Sequence, residues 1–306
     1  MVFIGLISLI PTEILSFIKY YINKPKNLKG KICLVTGAGR GLGRELCLGL
    51  SRLGAEVICV DIREDGNNET VKLIKESGGK AHGYTCNIAK YQEVADLAET
   101  VQKEVGRVYM LINNAGLVMT HNAGEWPPED VIAMFNVNVI SNYWMIKAFL
   151  PAMKDVNEGH IVNVISISSL HPLPGLSLYG ATKAANESML RTLRLELNRN
   201  KNNKILVTGV HPSIIRTSDD ITEMYPKGNL GMLGTKETAQ IIIDEVRRDN
   251  TFLVIPKLMH PLLCILKFFP ELSIHVAYDL LDIKVNIPSD AQKKNMIFGE
   301  INKKCR

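Results

Sequence analysis

Three side chains near the middle of the chain could move a proton between them. Tyr179 and Lys183 stand four residues apart in "LSLYGATKAANESML", residues 176 to 190. A helix there puts a phenol and an ammonium on one face. A tyrosine hydroxyl in water titrates near pH ~10, too high for a base near neutrality. A neighbouring ammonium favours the tyrosinate and is expected to lower that value, which suits general acid–base work on an alcohol or a carbonyl. Thirteen residues before Tyr179, Ser166 closes an apolar, strand-like run. In open α/β sheets ligands bind beyond the carboxyl ends of the strands, where a serine hydroxyl can hold a substrate oxygen.

A second group of residues could hold a dinucleotide. The turn "TGAGRGLGRE", Thr36 to Glu45, spaces Gly37, Gly41 and Gly43 for tight turning. It also lets a pyrophosphate approach a helix N-terminus. The context sharpens the signal: a strand before, a helix after, and Asp61 eighteen positions past Gly43. At the end of the second strand, Asp61 can accept both hydroxyls of an adenosine ribose. It would repel a 2′-phosphate, so NAD is expected over NADP. Arg40 and Arg63 argue the other way, since either could take that phosphate. No Lys-Ser/Thr follows the glycines, which excludes a P-loop.

The elements that must position these groups alternate along the chain. Strand-like runs begin at "KICLVTG" (31), "EVICVD" (56), "KAHGYTCNI" (80), "VYMLINNAG" (108), "GHIVNVISIS" (159), "KILVTGVHP" (204) and "TFLVIP" (251). Between them helical patterns run through Leu53, over 67–77, over 90–105, as one long helix over 129–154, and around Tyr179. Apolar strands separated by helices predict an α/β fold, a doubly wound parallel sheet of seven strands with helices on both faces. Residues 30–256 form one domain on this reading, with a segment 1–29 before it and an apolar, then basic, extension 257–306 after it.

Composition fits a globular protein, with 46% hydrophobic and 22% charged residues. The net charge of +5 comes with lysine-rich flanks at both ends and no basic patch interleaved with aromatics, so nucleic acid is not an expected partner. The six cysteines, Cys33, Cys47, Cys59, Cys86, Cys264 and Cys305, form no CxxC pair. Most lie in apolar runs, so neither a disulfide framework nor a metal site is expected, and a reducing, cytosol-facing compartment fits.

The N-terminus reads "MVFIGLISLIPTEILSFIKYYINKPKNLKGK". It lacks the basic start and the cleavage site of a signal peptide. Its first apolar run is short for a span, which needs roughly 20 residues. From Thr12 on, Ile14, Leu15, Ile18, Tyr21 and Ile22 recur at helical spacing, and five lysines follow between 19 and 31. The segment 1–29 is therefore expected to anchor the chain at a membrane, as a hairpin or a surface helix, with the body in the cytosol. The apolar stretch from 252 is broken by Pro256, Pro261 and Pro270, so it is expected to pack on the body or rest on the membrane rather than span it.

Together the "TGxxxGxG" turn, "NNAG" (Asn113 to Gly116), Ser166 and "YGATK" resemble the short-chain dehydrogenase/reductase superfamily over residues 30–256. The apolar N-terminus, "WMIKAFLPAM", "GHIVNV" and the hydrophobic tail narrow the likeness to the retinol dehydrogenase and 17-beta-hydroxysteroid dehydrogenase group of the endoplasmic reticulum and lipid droplets. The resemblance implies a single Rossmann domain. It also implies a catalytic tetrad of Asn138, Ser166, Tyr179 and Lys183. In it Tyr179 is the proton donor or acceptor, Lys183 also binds the nicotinamide ribose, Ser166 orients the carbonyl and Asn138 holds a water of a proton relay. It implies that Leu42 offers its backbone to the pyrophosphate, that Asn114 lies near the adenosine ribose, and that Ile215 and Thr217 fix the nicotinamide amide. A homodimer through the helices at 129 and 178 is also implied. Three positions depart from the family pattern: Asn87 stands for an aspartate near the adenine, Ser213 for the glycine of Pro-Gly, and Thr182 for a serine.

Residues 218–234 form a long connection at the carboxyl edge, expected to act as a lid made greasy by Met224, Tyr225, Met232 and Leu233. "LHPLPGL" at 170 supplies another apolar wall, and His171 within it reads as a loop residue. The expected substrate is a lipophilic alcohol, ketone or aldehyde such as a retinoid, steroid or fatty alcohol. A competing reading is a non-catalytic nucleotide-binding protein of the lipid-droplet or endoplasmic reticulum surface, which would need no Tyr179–Lys183 pair.

Overall fold

A computed structural model describes residues 24–122, 124–173, 175–217 and 232–266. Most of the expected anchor (1–23), the greater part of the expected lid (218–231, with Met224 and Tyr225), residues 267–306 of the C-terminal extension and Cys305 lie outside the described residues.

Seven strands form one sheet: β1 (Ile32–Thr36), β2 (Glu56–Asp61), β3 (Lys80–Thr85), β4 (Met110–Asn113), β5 (Gly159–Val164), β6 (Ile205–Pro212) and β7 (Phe252–Ile255). Their order is β3-β2-β1-β4-β5-β6-β7, and every pairing is parallel. The continuous apolar runs arise because the inner strands are buried on both faces: β4 and β5 are buried at every residue. β3, at the edge, alternates between buried and exposed positions instead.

The helices are α1 (Gly41–Arg52), α2 (Glu64–Glu76), α3 (Tyr91–Glu104), α4 (Pro128–Phe135), α5 (Ser141–Asp155), α6 (Ser177–Leu197), α7 (Thr235–Arg247) and α8 (Met259–Leu266). On one face of the sheet Leu46, Cys47 and Leu50 of α1 pack with Ile242, Ile243 and Val246 of α7 against Cys33, Val35 and Val57. On the other, Val94 and Leu97 of α3, Met145 and Phe149 of α5 and Leu190 of α6 pack against Leu34, Ile58 and Ile161. The packed body reaches beyond the strands at both ends. Leu28 is buried, Lys26 donates its amide to the Arg247 carbonyl at 2.8 Å, and Met259 and Leu263 of α8 are buried. Among the described residues no helix is long and apolar enough to cross a membrane.

Two helices differ from the sequence reading. α2 starts at Glu64, three residues before the expected 67. Glu64 and Asp65 in its first turn favour the positive end of the helix dipole, while Gly66, Asn67 and Asn68 mask that start by their low helix propensity. The long helix expected over 129–154 is present as α4 and α5, joined by a π-helical turn, Asn136–Ile140. There the Ser141 amide bonds to the Asn136 carbonyl, five residues back. Such turns insert one residue into a helix and are frequent at functional sites.

Candidate active site

Strand order reverses between β1 and β4, and the crevice above that point is where doubly wound sheets bind ligands. A cavity of about 250 Å³ opens there. Its wall includes Gly37, Arg40, Gly41, Leu42, Gly43, Asp61, Asn87, Asn114, Ser166, Tyr179, Lys183, Ile215 and Thr217. Apart from Asn138, every residue expected in the catalytic or cofactor site lines this one cavity.

The Gly-rich turn is shaped by close approach. Gly37 has φ +68°, and a Cβ on Gly43 would lie 1.9 Å from the Gly37 carbonyl oxygen. α1 can therefore start against the end of β1 only without side chains there, leaving its first amides facing the cavity. Asn114 braces the turn from β4, donating from Nδ2 to the Thr36 carbonyl at 2.9 Å. Asp61 Oδ2 accepts the Gly39 amide at 2.8 Å and Oδ1 accepts the Arg63 amide at 2.9 Å. A Cβ on Gly39 would stand 2.9 Å from that Oδ2. Each carboxylate oxygen keeps lone pairs for a further donor.

Some of this machinery was hidden in the sequence. Gly39 is a fourth glycine of the turn, pressed against the Asp61 carboxylate, that the spacing did not mark. Arg44 holds the Gly39 carbonyl at 2.7 Å, and Thr70 holds the Ala38 carbonyl at 2.9 Å. No spacing rule connects Thr70 to the turn, because the link runs through the packing of α2. Asn87 is fixed by its own loop, its Oδ1 accepting the Ala89 amide at 3.1 Å.

At the other end of the cavity, Ser166 caps a short 3-10 turn, Ile167–Ser169, its Oγ accepting the Ser168 amide at 3.1 Å. Ser166 and Tyr179 both line the cavity there, and the serine hydroxyl acts to favour the tyrosinate. α6 can come this close because Gly180 faces that turn, where a Cβ would lie 3.3 Å from the Ser168 carbonyl oxygen. Lys183 is buried and donates from Nζ to the Val164 carbonyl at 3.0 Å.

The electrostatics correct one expectation. Burial pushes the Tyr179 phenol up to about 12, against the opposing pull of the Ser166 hydroxyl. Burial likewise pulls Lys183 down to about 8. The Lys183 ammonium, expected to depress the phenol, lies 5.5 Å from the centre of the Tyr179 ring. In this protein desolvation outweighs it.

Asn138 sits in the π-turn, fully buried, and does not join the cavity wall. Its Oδ1 accepts the Leu117 amide at 2.7 Å. Its Nδ2 donates to the Leu117 carbonyl at 2.8 Å and to Thr182 Oγ1 at 3.1 Å. Its own carbonyl accepts Asn142 Nδ2 at 3.0 Å and Asn186 Nδ2. These contacts clamp the loop after β4 onto α6, a positioning arrangement. Holding a water, as the resemblance implies, would require exchanging one of them. Asn142 and Asn186 went unnoticed in the sequence, because the i+4 and cross-helix partners of a π-turn carbonyl are visible only once the turn is.

Above Ser166 and Tyr179 the wall is apolar: Leu117, Val118, Ile167, Leu173, Leu176 and Ile214. Met232 packs on the same cluster. Leu233, at the end of the expected lid, pairs with Ile215. His171 lies outside the cavity wall, and burial lowers its pKa. Four described cysteines, Cys33, Cys47, Cys59 and Cys86, are free and buried, and no group of side chains among the described residues could hold a metal ion.

The sequence profile of the family described as "short chain dehydrogenase" matches residues 31–224. Epidermal retinol dehydrogenase 2 of Mus musculus is 38% identical over 264 residues, covering 85% of this chain and 84% of that one. Human 17-beta-hydroxysteroid dehydrogenase 13 is 30% identical over 270 residues, covering 87% and 88%. The crystal structure of a short-chain dehydrogenase/reductase from Burkholderia phymatum in complex with NAD shares the fold, with a TM-score of 0.73 and 24% identity over 81% of this chain and 96% of that one.

Proposed function

The chain belongs to the short-chain dehydrogenase family, and on that premise we propose that it transfers hydride between a nicotinamide dinucleotide and a lipophilic alcohol, ketone or aldehyde of the retinoid, steroid or fatty-alcohol kind. One observation carries the reading: Ser166, Tyr179 and Lys183 share a single cavity with the glycine cradle and Asp61. The cradle fits a dinucleotide, since a Cβ at Gly43 would close it. Gly37, Gly41, Gly43 and the first amides of α1 would hold the pyrophosphate. Asp61, assisted by Asn87 and Asn114, would hold the adenosine end with a preference for NAD. Lys183, Ile215 and Thr217 would hold the nicotinamide end. Bound there, the nicotinamide supplies the hydride donor or acceptor.

The chain's own groups do the rest. Ser166 Oγ orients the substrate oxygen, and Tyr179 Oη gives or takes its proton. Lys183, anchored on Val164, keeps a positive charge near that proton. Asn138 keeps Leu117 and α6 in register. The apolar wall excludes water from the reacting atoms and favours a greasy substrate, in keeping with relatives named for retinol and a hydroxysteroid.

Residues 1–29 would tether the body, 30–256, to the endoplasmic reticulum or a lipid droplet, with the cavity open to the cytosol and the extension 257–306 resting on the same surface. Exposed Ile132 and Tyr143 on α4 and α5 support a homodimer through these helices and α6. The test is nicotinamide absorbance with detergent-solubilised protein, NAD or NADP, and a panel of retinol, steroid alcohols and fatty alcohols. Turnover that Tyr179→Phe lowers by roughly 10²-fold or more is expected, the size of a lost general acid–base. Dinucleotide binding without turnover of any panel member would favour the non-catalytic reading.

A further inference from the structure

A buried carboxylate lies one helical turn beyond Lys183. Glu187, 8% exposed, points from α6 at the carboxyl end of β6, where His211 is fully buried. His211 Nε2 and Glu187 Oε2 are 2.8 Å apart, and His211 Nδ1 faces the Leu253 carbonyl of β7 at 3.3 Å. Burial alone would raise the Glu187 carboxyl, but His211 and Arg191 hold it below the usual range. Arg191 pairs with the other carboxylate oxygen from the surface. The seat is built for the pair: a Cβ on Gly209 would lie 3.1 Å from both Glu187 Oε2 and His211 Cε1. The His211 ring also packs on Phe252, with ring centres 4.5 Å apart.

This pair sits where it matters for the cavity. The residues directly after His211, Pro212 to Ile215 with Thr217, belong to the same cavity wall as Tyr179 and Lys183. The Ser213 amide bonds to Ile255 of β7 at 2.8 Å. The Thr217 carbonyl comes so near the Gly-rich turn that a Cβ on Gly41 would meet it at 3.0 Å. At the amino end of β6 the tie to α6 is made by Arg194, from Nε to the Val207 carbonyl at 3.1 Å. At the carboxyl end it is made by Glu187 and His211. α6 is thus bolted to β6 at two heights, and only the upper bolt lies directly before residues of the cavity wall, Pro212 onward.

We propose that Glu187 and His211 are positioning residues that fix the 212–217 wall against the helix carrying Tyr179 and Lys183, and so set the affinity for the dinucleotide. The inference rests on the oxidoreductase reading. Breaking a buried pair leaves one partner without its hydrogen bond, and the wall segment, held from β7 and Leu233, then shifts relative to α6.

The test uses the full chain in detergent, comparing wild type with Glu187→Gln, His211→Gln and, as a control at the other bolt, Arg194→Ala. NADH affinity is read by fluorescence titration, kcat and KM by turnover, and folding by thermal melting. Both upper-bolt variants are expected to weaken NADH binding roughly tenfold, with KM for the dinucleotide rising further than kcat falls. Arg194→Ala should lower the melting temperature and leave NADH affinity in place. If either variant fails to fold, Gly209→Ala crowds the pair without removing it and should weaken NADH binding in the same direction. Unchanged NADH affinity in the folded variants overturns the positioning role while leaving the enzyme reading intact. Absence of NADH binding by the wild-type chain overturns both.

Discussion

Lys183 donates from Nζ to the main-chain carbonyl of Val164 at 3.0 Å, while its charge lies 5.5 Å from the centre of the Tyr179 ring. The ammonium is therefore tied to the end of β5, the strand that leads into Ser166. One side chain thereby fixes the spacing between the strand that presents the serine and the helix that presents the phenol. Its burial has the electrostatic cost already described, a lysine brought down to about 8.

The first prediction concerns the resting phenol. With Tyr179 pushed up to about 12, the ligand-free protein should show no tyrosinate step from this residue between pH 6 and about 10. The difference in tyrosinate absorbance between wild type and Tyr179→Phe measures it. A wild-type step near neutrality, missing in the variant, would restore the view that Lys183 alone activates the phenol.

Space in the Gly-rich turn gives the second. Gly43→Ala places a methyl 1.9 Å from the Gly37 oxygen, and Gly39→Ala places one 2.9 Å from Asp61 Oδ2. The first has no route to relax, because backbone meets backbone. It should abolish dinucleotide binding and lower the melting temperature. The second should weaken binding by displacing the Asp61 carboxylate, with a smaller loss of stability. Calorimetric titration with NAD is decisive, and full affinity in Gly43→Ala would contradict the proposed cradle.

Acid stability gives the third. His160 is fully buried on β5, with Nε2 paired to Thr208 Oγ1 at 2.8 Å. Burial lowers its pKa from 6.5 to about 3, with Lys26 adding to the shift. The unfolded chain therefore binds a proton that the folded chain refuses. Stability is fully present above pH 6.5 and falls towards pH 3 by ~1.4 kcal/mol per pH unit from this group. Melting curves of His160→Gln should decline less steeply than wild type across that window. Parallel slopes would remove His160 from the account.

Asn138 gives the fourth. Asn138→Ala deletes the bonds to the Leu117 amide, the Leu117 carbonyl and Thr182, leaving buried polar groups unpaired at roughly 1–3 kcal/mol each. The variant should melt lower, and its turnover should drop more than its NAD affinity, since α6 and the loop after β4 lose their mutual register. Equal losses in both would assign Asn138 to general stability.

The sequence revealed most where a physical constraint acts locally. β4 and β5 must be apolar throughout because both their faces are covered. The Gly37–Gly43 spacing follows from one tight turn, and Tyr179 and Lys183 from one helix face. What stayed hidden depends on contacts between distant segments. Nothing near Gly39 announces that its amide meets Asp61. Nothing in "FNVNVIS" separates a π-turn from an α-helix, since the apolar pattern runs on through it. The ionisation of Tyr179 followed from how deeply α6 is buried, which spacing along one helix does not encode.

The π-turn also lets one stretch of chain serve two demands. Its hydrogen bond spans five residues where an α-turn spans four, so the extra residue is taken up locally and the helix beyond keeps its facing. Met145, Phe149 and Met153 stay buried against the sheet, while Asn138, within the turn, reaches Leu117 and Thr182. Removing one residue between Asn136 and Ile140 would restore a plain α-helix with the same buried face. The cost would fall on Asn138 and the bonds that tie Leu117 to α6, and the packing of α5 would survive.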